Sequence, residues 1–217
     1  MKNAKKYQAV LFDFDGVLAQ TMQDNFLAWK AALATAQIVL PEKDYYLLEG
    51  CKAVEVARHF LDQNKKDLSL ISDLVRIKED YYAKNNHFSL YPGATELLTE
   101  LKAKGFKLAL ITGAGRERLE RTLKPEISQF FSVIICADDV SKGKPDPEPY
   151  LTAAKKIQVA PTVCLVIENA PLGIRSARTA GMDCVAITTT LSADFLEEAQ
   201  IILPNLERVA AIAGECR

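Results

Sequence analysis

Val10-Leu11-Phe12-Asp13-Phe14-Asp15-Gly16-Val17-Leu18 decides how this chain folds: an apolar run ends on two acids set two residues apart. The run from Ala9 to Phe12 predicts a short, buried central strand. In extended chain residues i and i+2 point to the same face, so Asp13 and Asp15 look into one crevice if the strand persists that far. Gly16 then lets the chain bend. Asp is also common in turns after strands, where its side chain bonds local backbone, so the pair alone leaves a plain turn open. An ionised group at the end of an apolar strand is costlier, because leaving water it needs a cation or dense hydrogen bonding. That cost points to a metal or a substrate.

Around this stretch lie 217 residues, 49% of them apolar, enough for one sizeable core with a smaller accessory unit. With 27 basic against 28 acidic residues there is no excess positive charge to neutralise a phosphate polymer, so no nucleic-acid partner is expected. Cys51, Cys136, Cys164, Cys184 and Cys216 are odd in number and dispersed, which suggests reduced thiols. The basic start, Met1 to Lys6, runs into a strand and not into a long apolar segment, so the expectation is a cytoplasmic protein with no membrane partner. Only His59 and His87 are available, which makes a His-rich zinc site or a His-based nucleophile relay hard to assemble and leaves carboxylates, Lys and Thr/Ser to do the chemistry.

Downstream of Gly16, apolar residues at Phe26, Trp29, Ala32, Leu33 and Ala36 recur at helical spacing, predicting a helix over 22–36. Helix-like patterns continue to residue 86 with no convincing strand, so residues 22–88 read as an all-helical insert. Tyr91-Pro92-Gly93 is a turn signal, after which strand and helix alternate. Strands are expected over 106–111, 131–136, 163–167 and 184–187, with a sixth over 201–203; helices are expected over 94–104, 116–123, 149–157, 171–180 and 206–213. This alternation with continuous apolar strands argues for an α/β fold: a doubly wound, mainly parallel Rossmann-like sheet built from residues 1–21 and 89–217, covered by helices on both faces. Functional residues of such sheets gather at the carboxyl ends of the strands, where Asp13, Asp15, Thr112, Lys144, Glu168 and Asn169 all fall.

Asp13-Phe14-Asp15-Gly16-Val17-Leu18, Thr112-Gly113, Gly143-Lys144-Pro145 and Glu168-Asn169-Ala170-Pro171-Leu172-Gly173 resemble, in order, the four motifs of the haloacid dehalogenase superfamily. The helical insert resembles the C1 cap of the branch that contains phosphoglycolate phosphatases, sugar phosphatases and beta-phosphoglucomutase. The resemblance implies a Mg2+-dependent phosphoric monoester hydrolase that acts on a small phosphorylated metabolite through an aspartyl-phosphate. Asp13 is then the nucleophile and Asp15 the general acid and base, which calls for a raised Asp15 pKa and an ionised Asp13. Thr112, Gly113, Ala114 and Lys144 would bind phosphate oxygens. Asp13, Asp15 through its carbonyl, Glu168 and Asn169 would hold the metal.

Two departures bear on this. Asn169 stands where that branch more often has Asp, which lowers the negative charge at the metal. Asn25 stands where mutases and many sugar phosphatases carry His, which weakens the mutase reading. Asn25, Lys52 and Arg116 are candidate substrate contacts; Arg118 shares the ambiguity of Arg116 and equally fits an exposed helix face. Phe26 and Trp29 read as core of the insert. Two alternatives stay open: a phosphosugar mutase of the same fold, and a catalytically weak phosphate-binding module. Dehalogenation is disfavoured because that chemistry does not need Asp15, and phosphonate cleavage would need a cap lysine such as Lys52. A monomer is favoured.

Overall fold

The structure, a computed structural model, describes residues 6–215. Of the basic stretch at the start only Lys6 is among them, and Cys216 lies outside them. Six parallel strands, β1 (Ala9–Phe12), β2 (Lys107–Ile111), β3 (Val133–Ile135), β4 (Cys164–Glu168), β5 (Asp183–Ile187) and β6 (Ile201–Leu203), form one sheet in the order β3-β2-β1-β4-β5-β6. The chain builds outward from β1 on one side and then, from β4, on the other, so the order reverses between β1 and β4. Loops part there, leaving a crevice at the carboxyl ends.

Side chains alternate across the sheet. Val10 and Phe12 pack on one face with α5 (Ala94–Ala103), α6 (Arg116–Thr122), α7 (Pro125–Ser128) and α10 (Val209–Ala213). Ala9 and Leu11 pack on the other with α8 (Glu148–Ile157) and α9 (Pro171–Thr179). Burial on both faces is why these strands read as continuous apolar runs. The helices α1 (Met22–Thr35), α2 (Glu42–Tyr46), α3 (Ala53–Gln63) and α4 (Ile71–Asn85) share a third apolar cluster built on Phe26, Trp29, Leu33, Val56, Phe60 and Leu74. Among the described residues no strand lies between β1 and β2, as the periodicity predicts.

Boundaries differ locally. β3 is shorter than expected because the Asp139 side chain accepts from the Cys136 amide and turns the chain away. The segment read as plain connection after α6 contains α7, started by a proline in the first turn. Among the described residues no helix is long and apolar enough to cross a membrane.

Candidate active site

The β1 ladder runs one residue past the strand, since the Asp13 amide donates to the Ile167 carbonyl at 3.0 Å. This fixes Asp13 at the mouth of the crevice, 2% exposed. The Lys144 ammonium forms an ion pair with it and a second, at 2.7 Å, with Glu168 at the end of β4. The Tyr150 hydroxyl donates to the same Glu168 oxygen at 2.7 Å, while the other accepts from the Asn169 and Ala170 amides at 3.0 and 3.4 Å. Glu168 therefore holds Lys144 in place from behind. Burial pushes the Asp13 carboxyl well above the usual range, and the Lys144 charge only partly reverses this. Burial would lower Lys144, but Asp13 and Glu168 outweigh it and raise it.

Asp15 sits in a different setting. Thr21 Oγ1 donates to it at 2.5 Å and Asn25 Nδ2 at 3.1 Å. Arg118 grips both of its oxygens, at 2.7 and 3.2 Å, and also donates to Asn25 Oδ1 at 3.1 Å. Burial pushes Asp15 up, yet the charge and hydrogen bonds of Arg118, helped by Thr21, win and hold it below its ordinary value. This corrects two expectations. Arg118 is not on an exposed face: its side chain is 11% exposed and lies over the Tyr82 ring at 5.1 Å. And the pair is ordered oppositely to the expectation, Asp13 raised and Asp15 lowered, because the cation nearest Asp15 is a bidentate guanidinium.

The donor set suits a hard, oxygen-seeking divalent cation. Asn169 Oδ1 is buried without a hydrogen-bond partner, while its Nδ2 donates to Thr190 at 3.0 Å. The Asn169 side chain packs on Gly16, where a Cβ would come within 2.1 Å of Nδ2; Gly16 also has φ +80°, so no other residue fits. An orphaned buried acceptor at the carboxyl end of β4, packed on the glycine that follows Asp15, is what a bound cation would satisfy. Among the described residues no three His, Cys, Asp or Glu side chains cluster as a metal site; the amide and carbonyl oxygens are what complete this set.

The loop between α2 and α3 closes the crevice. A Cβ on Gly113 would lie 2.6 Å from the Gly50 carbonyl oxygen and 2.7 Å from that of Cys51, so only glycine permits this approach. Beneath it Thr112 Oγ1 accepts from the Ala114 amide at 3.1 Å and faces Asp15 at 3.5 Å. The small chamber here holds about 30 Å3 and is lined by Asp15, Asn25, Trp29, Glu49, Lys78 and Arg118 among others. A larger cavity of about 620 Å3 lies beyond Arg118, between α3, α4 and α6. Lys52 and Arg116 line this outer cavity and do not reach the chamber. The Lys52 ammonium donates to the Val140 and Ser141 carbonyls, and Arg116 is paired with Asp139.

Sequence reasoning missed Thr21, Glu49, Lys78, Tyr150 and Thr190. Lys78 carried a readable signal, being a charged residue on the face that α4 turns inward with Leu74 and Tyr82; Glu49, on the loop after α2, carried none, nor did Tyr150 and Thr190.

Comparison with known proteins gives consistent findings. Residues 10–187 match the family described as Haloacid dehalogenase-like hydrolase. The chain is 32% identical over 212 residues to validoxylamine A 7'-phosphate phosphatase of Streptomyces hygroscopicus subsp. limoneus, covering 94% of this chain and 96% of that protein. It is 31% identical to beta-phosphoglucomutase of Bacillus subtilis (strain 168), covering 83% of each. A hydrolase from Pseudomonas syringae superposes with TM-score 0.87 at 27% identity, covering 97% of this chain and all of that one.

Proposed function

The chain belongs to the haloacid dehalogenase-like hydrolase family, and from that premise we propose that it is a Mg2+-dependent phosphatase of small phosphorylated sugars or polyols, working through an aspartyl-phosphate on Asp13. One observation carries this: a buried carboxylate at the end of the central strand, paired with a buried lysine, with a second carboxylate two residues on in a separate hydrogen-bond shell.

In this reading an Asp13 oxygen attacks phosphorus in line as the ester P–O bond breaks, and the Lys144 ammonium carries charge from the equatorial oxygens. Asp15 gives its proton to the departing alkoxide. It then takes a proton from the water that attacks the aspartyl-phosphate, returning free Asp13 and phosphate. Because Arg118 holds Asp15 ionised, the leaving group must displace that contact for Asp15 to carry the proton. Asp13, the Asp15 carbonyl and Asn169 Oδ1 would hold Mg2+, with Glu168 steering Lys144. When bound, the ion shields the anionic nucleophile from the anionic ester. Residues 22–88 act as a cap whose loop at Gly50 excludes water during the transfer.

Hydrolysis is favoured over the mutase alternative by the outer cavity. Its four cationic side chains already have protein partners: Lys52 with backbone carbonyls, Arg116 with Asp139, Arg118 with Asp15, Arg121 with Glu117. A second phosphate would have to break those pairs. The test is release of inorganic phosphate from p-nitrophenyl phosphate and glucitol 6-phosphate with Mg2+. Turnover is expected, with loss of at least about 10³-fold in kcat for Asp13→Asn. Absence of any Mg2+-dependent turnover would favour the phosphate-binding module, and isomer formation without phosphate release would favour the mutase.

A further inference from the structure

Lys52 takes no part in the transfer described for Asp13 and Asp15, yet its ammonium crosses from the cap to the core. It donates to the Val140 carbonyl and, at 3.1 Å, to the Ser141 carbonyl. Those carbonyls open the loop of residues 140–147, which leads into α8 and carries Lys144. The loop is held from two sides. From the core, the two Glu148 carboxylate oxygens accept from the Ser141 and Lys142 amides, each at 2.8 Å, and Ser176 Oγ donates to the Asp146 carbonyl at 2.6 Å. From the cap come Lys52, the Cys51 thiol, which donates to the Lys144 carbonyl at 3.4 Å, and Gly50, where a Cβ would lie 2.9 Å from Lys144 Cδ. The Lys52 stem is itself pinned, since a Cβ on Gly143 would come within 2.9 Å of its Cγ. Of these cap contacts only the Lys52 hydrogen bonds carry a full charge, and such bonds are roughly twice as strong as neutral ones.

We propose that Lys52 is a positioning residue: by gripping the Val140 and Ser141 carbonyls it sets the loop that delivers Lys144 to Asp13, so that the lysine is fully placed only while the cap is shut. This rests on the phosphatase reading and goes beyond it. Lys144 has to sit between Asp13 and Glu168, and a misplacement of about 1 Å at such a site costs on the order of 10²-fold in rate. With the cap raised, the loop keeps its ties to Glu148 and Ser176 and loses those on its outer edge. Lys144 is then held at its ammonium and no longer along its backbone. The competing role for a cap lysine is contact with the substrate, but here the ammonium is engaged by protein carbonyls. The two roles also differ in kinetics. A positioning residue acts on kcat for every ester alike, whereas a substrate contact acts through KM on the esters that reach it.

The experiment compares wild type, Lys52→Met and Lys52→Arg on p-nitrophenyl phosphate and glucitol 6-phosphate with Mg2+, recording kcat and KM separately. Alongside, amide hydrogen exchange is followed in residues 140–146 and in β2, with Mg2+ and inorganic phosphate present. Lys52→Met keeps the stem and removes the donor. It is expected to lower kcat at least about tenfold on both esters, with KM within about threefold of wild type. Exchange in residues 140–146 is expected to quicken at least about tenfold while β2 stays as it is. Lys52→Arg, whose guanidinium can donate to two neighbouring carbonyls, is expected to recover most of the kcat and of the protection. A loss confined to glucitol 6-phosphate and carried by KM makes Lys52 a substrate contact and overturns the proposal. So does an unchanged kcat or unchanged loop exchange in Lys52→Met, or exchange quickened equally in β2, which marks a general loss of stability. Each of these leaves the phosphatase standing. No turnover of either ester by wild type overturns both.

Discussion

At the scale of single residues, the contact that most sets this site apart is Arg118 on Asp15. Breaking a buried ion pair from one side leaves an uncompensated charge and costs on the order of 3–5 kcal/mol. Arg118→Met is therefore expected to lower the melting temperature markedly, and to raise the Asp15 pKa because the largest opposing charge is gone. The alkaline limb of the pH profile of kcat/KM, which reports a protonated acid, then moves to higher pH; an unmoved limb means Arg118 does not govern Asp15. Glu49 gives the opposite kind of prediction. Burial, with the charge of Asp15, pushes it up to about 7 from 4.5. The folded state binds that proton more tightly than the unfolded one, so its contribution to stability is fully present below pH 4.5 and lost as pH rises through about 7. Glu49→Gln removes the loss, and above pH 7 the variant should be more stable than wild type by roughly 2–3 kcal/mol, read from urea unfolding across that range. An equal pH slope in the two proteins would mean that Glu49 ionises freely in the fold.

At the scale of elements, cap and sheet meet backbone to backbone. The Gly50-Cys51 carbonyls lie over Gly113, where a Cβ has no room, and these neighbours are backbone atoms that cannot swing aside. Gly113→Ala should therefore hold the loop off the sheet. The expected result is a fall in kcat/KM of at least about tenfold, with little change in melting temperature because none of the three apolar clusters includes Gly113. Unaltered kinetics would show that closure at this point is not needed. The strands that frame the site were readable in the chain: β1, β2 and β4 are uninterrupted apolar runs whose polar termini, Asp13, Thr112 and Glu168, fall where a doubly wound sheet places its crevice. Gly143-Lys144-Pro145 was readable as a motif, and the structure brings Lys144 onto Asp13 across 131 positions of sequence. Arg118 was not readable. Helical spacing says which face of a short helix a residue occupies but not what lies opposite, and the partner that buries Arg118 comes from a strand end about a hundred residues earlier. Nor do Glu49 and Tyr150 betray themselves locally, since their roles exist only once the loop and α8 pack against the crevice.

At the scale of the whole molecule, the site is a local excess of negative charge that folding alone does not balance. Asp13, Asp15 and Glu168 are buried around two cations, Lys144 and Arg118. A divalent ion that binds the folded chain and not the unfolded one stabilises it by mass action, by about 2.7 kcal/mol at a hundred times its dissociation constant. Magnesium should thus raise the melting temperature saturably, and chelation with EDTA should lower it again. Asn169 sets how large that effect is. Its Oδ1 is the unpartnered acceptor of the set, and its amide already donates to Thr190, so Asn169→Asp exchanges a neutral oxygen for a charged one at the same place while the Thr190 hydroxyl can reverse and donate. Without metal the added carboxylate joins three others in a buried site, and the variant should be less stable than wild type by on the order of 1–3 kcal/mol. With metal the same charge strengthens binding, and the dissociation constant for Mg2+ should fall about tenfold. The two melting curves should therefore diverge in EDTA and draw together, or cross, as magnesium saturates. If magnesium moves neither curve, the orphaned oxygen of Asn169 serves some other partner, and the proposed metal-assisted transfer loses its support.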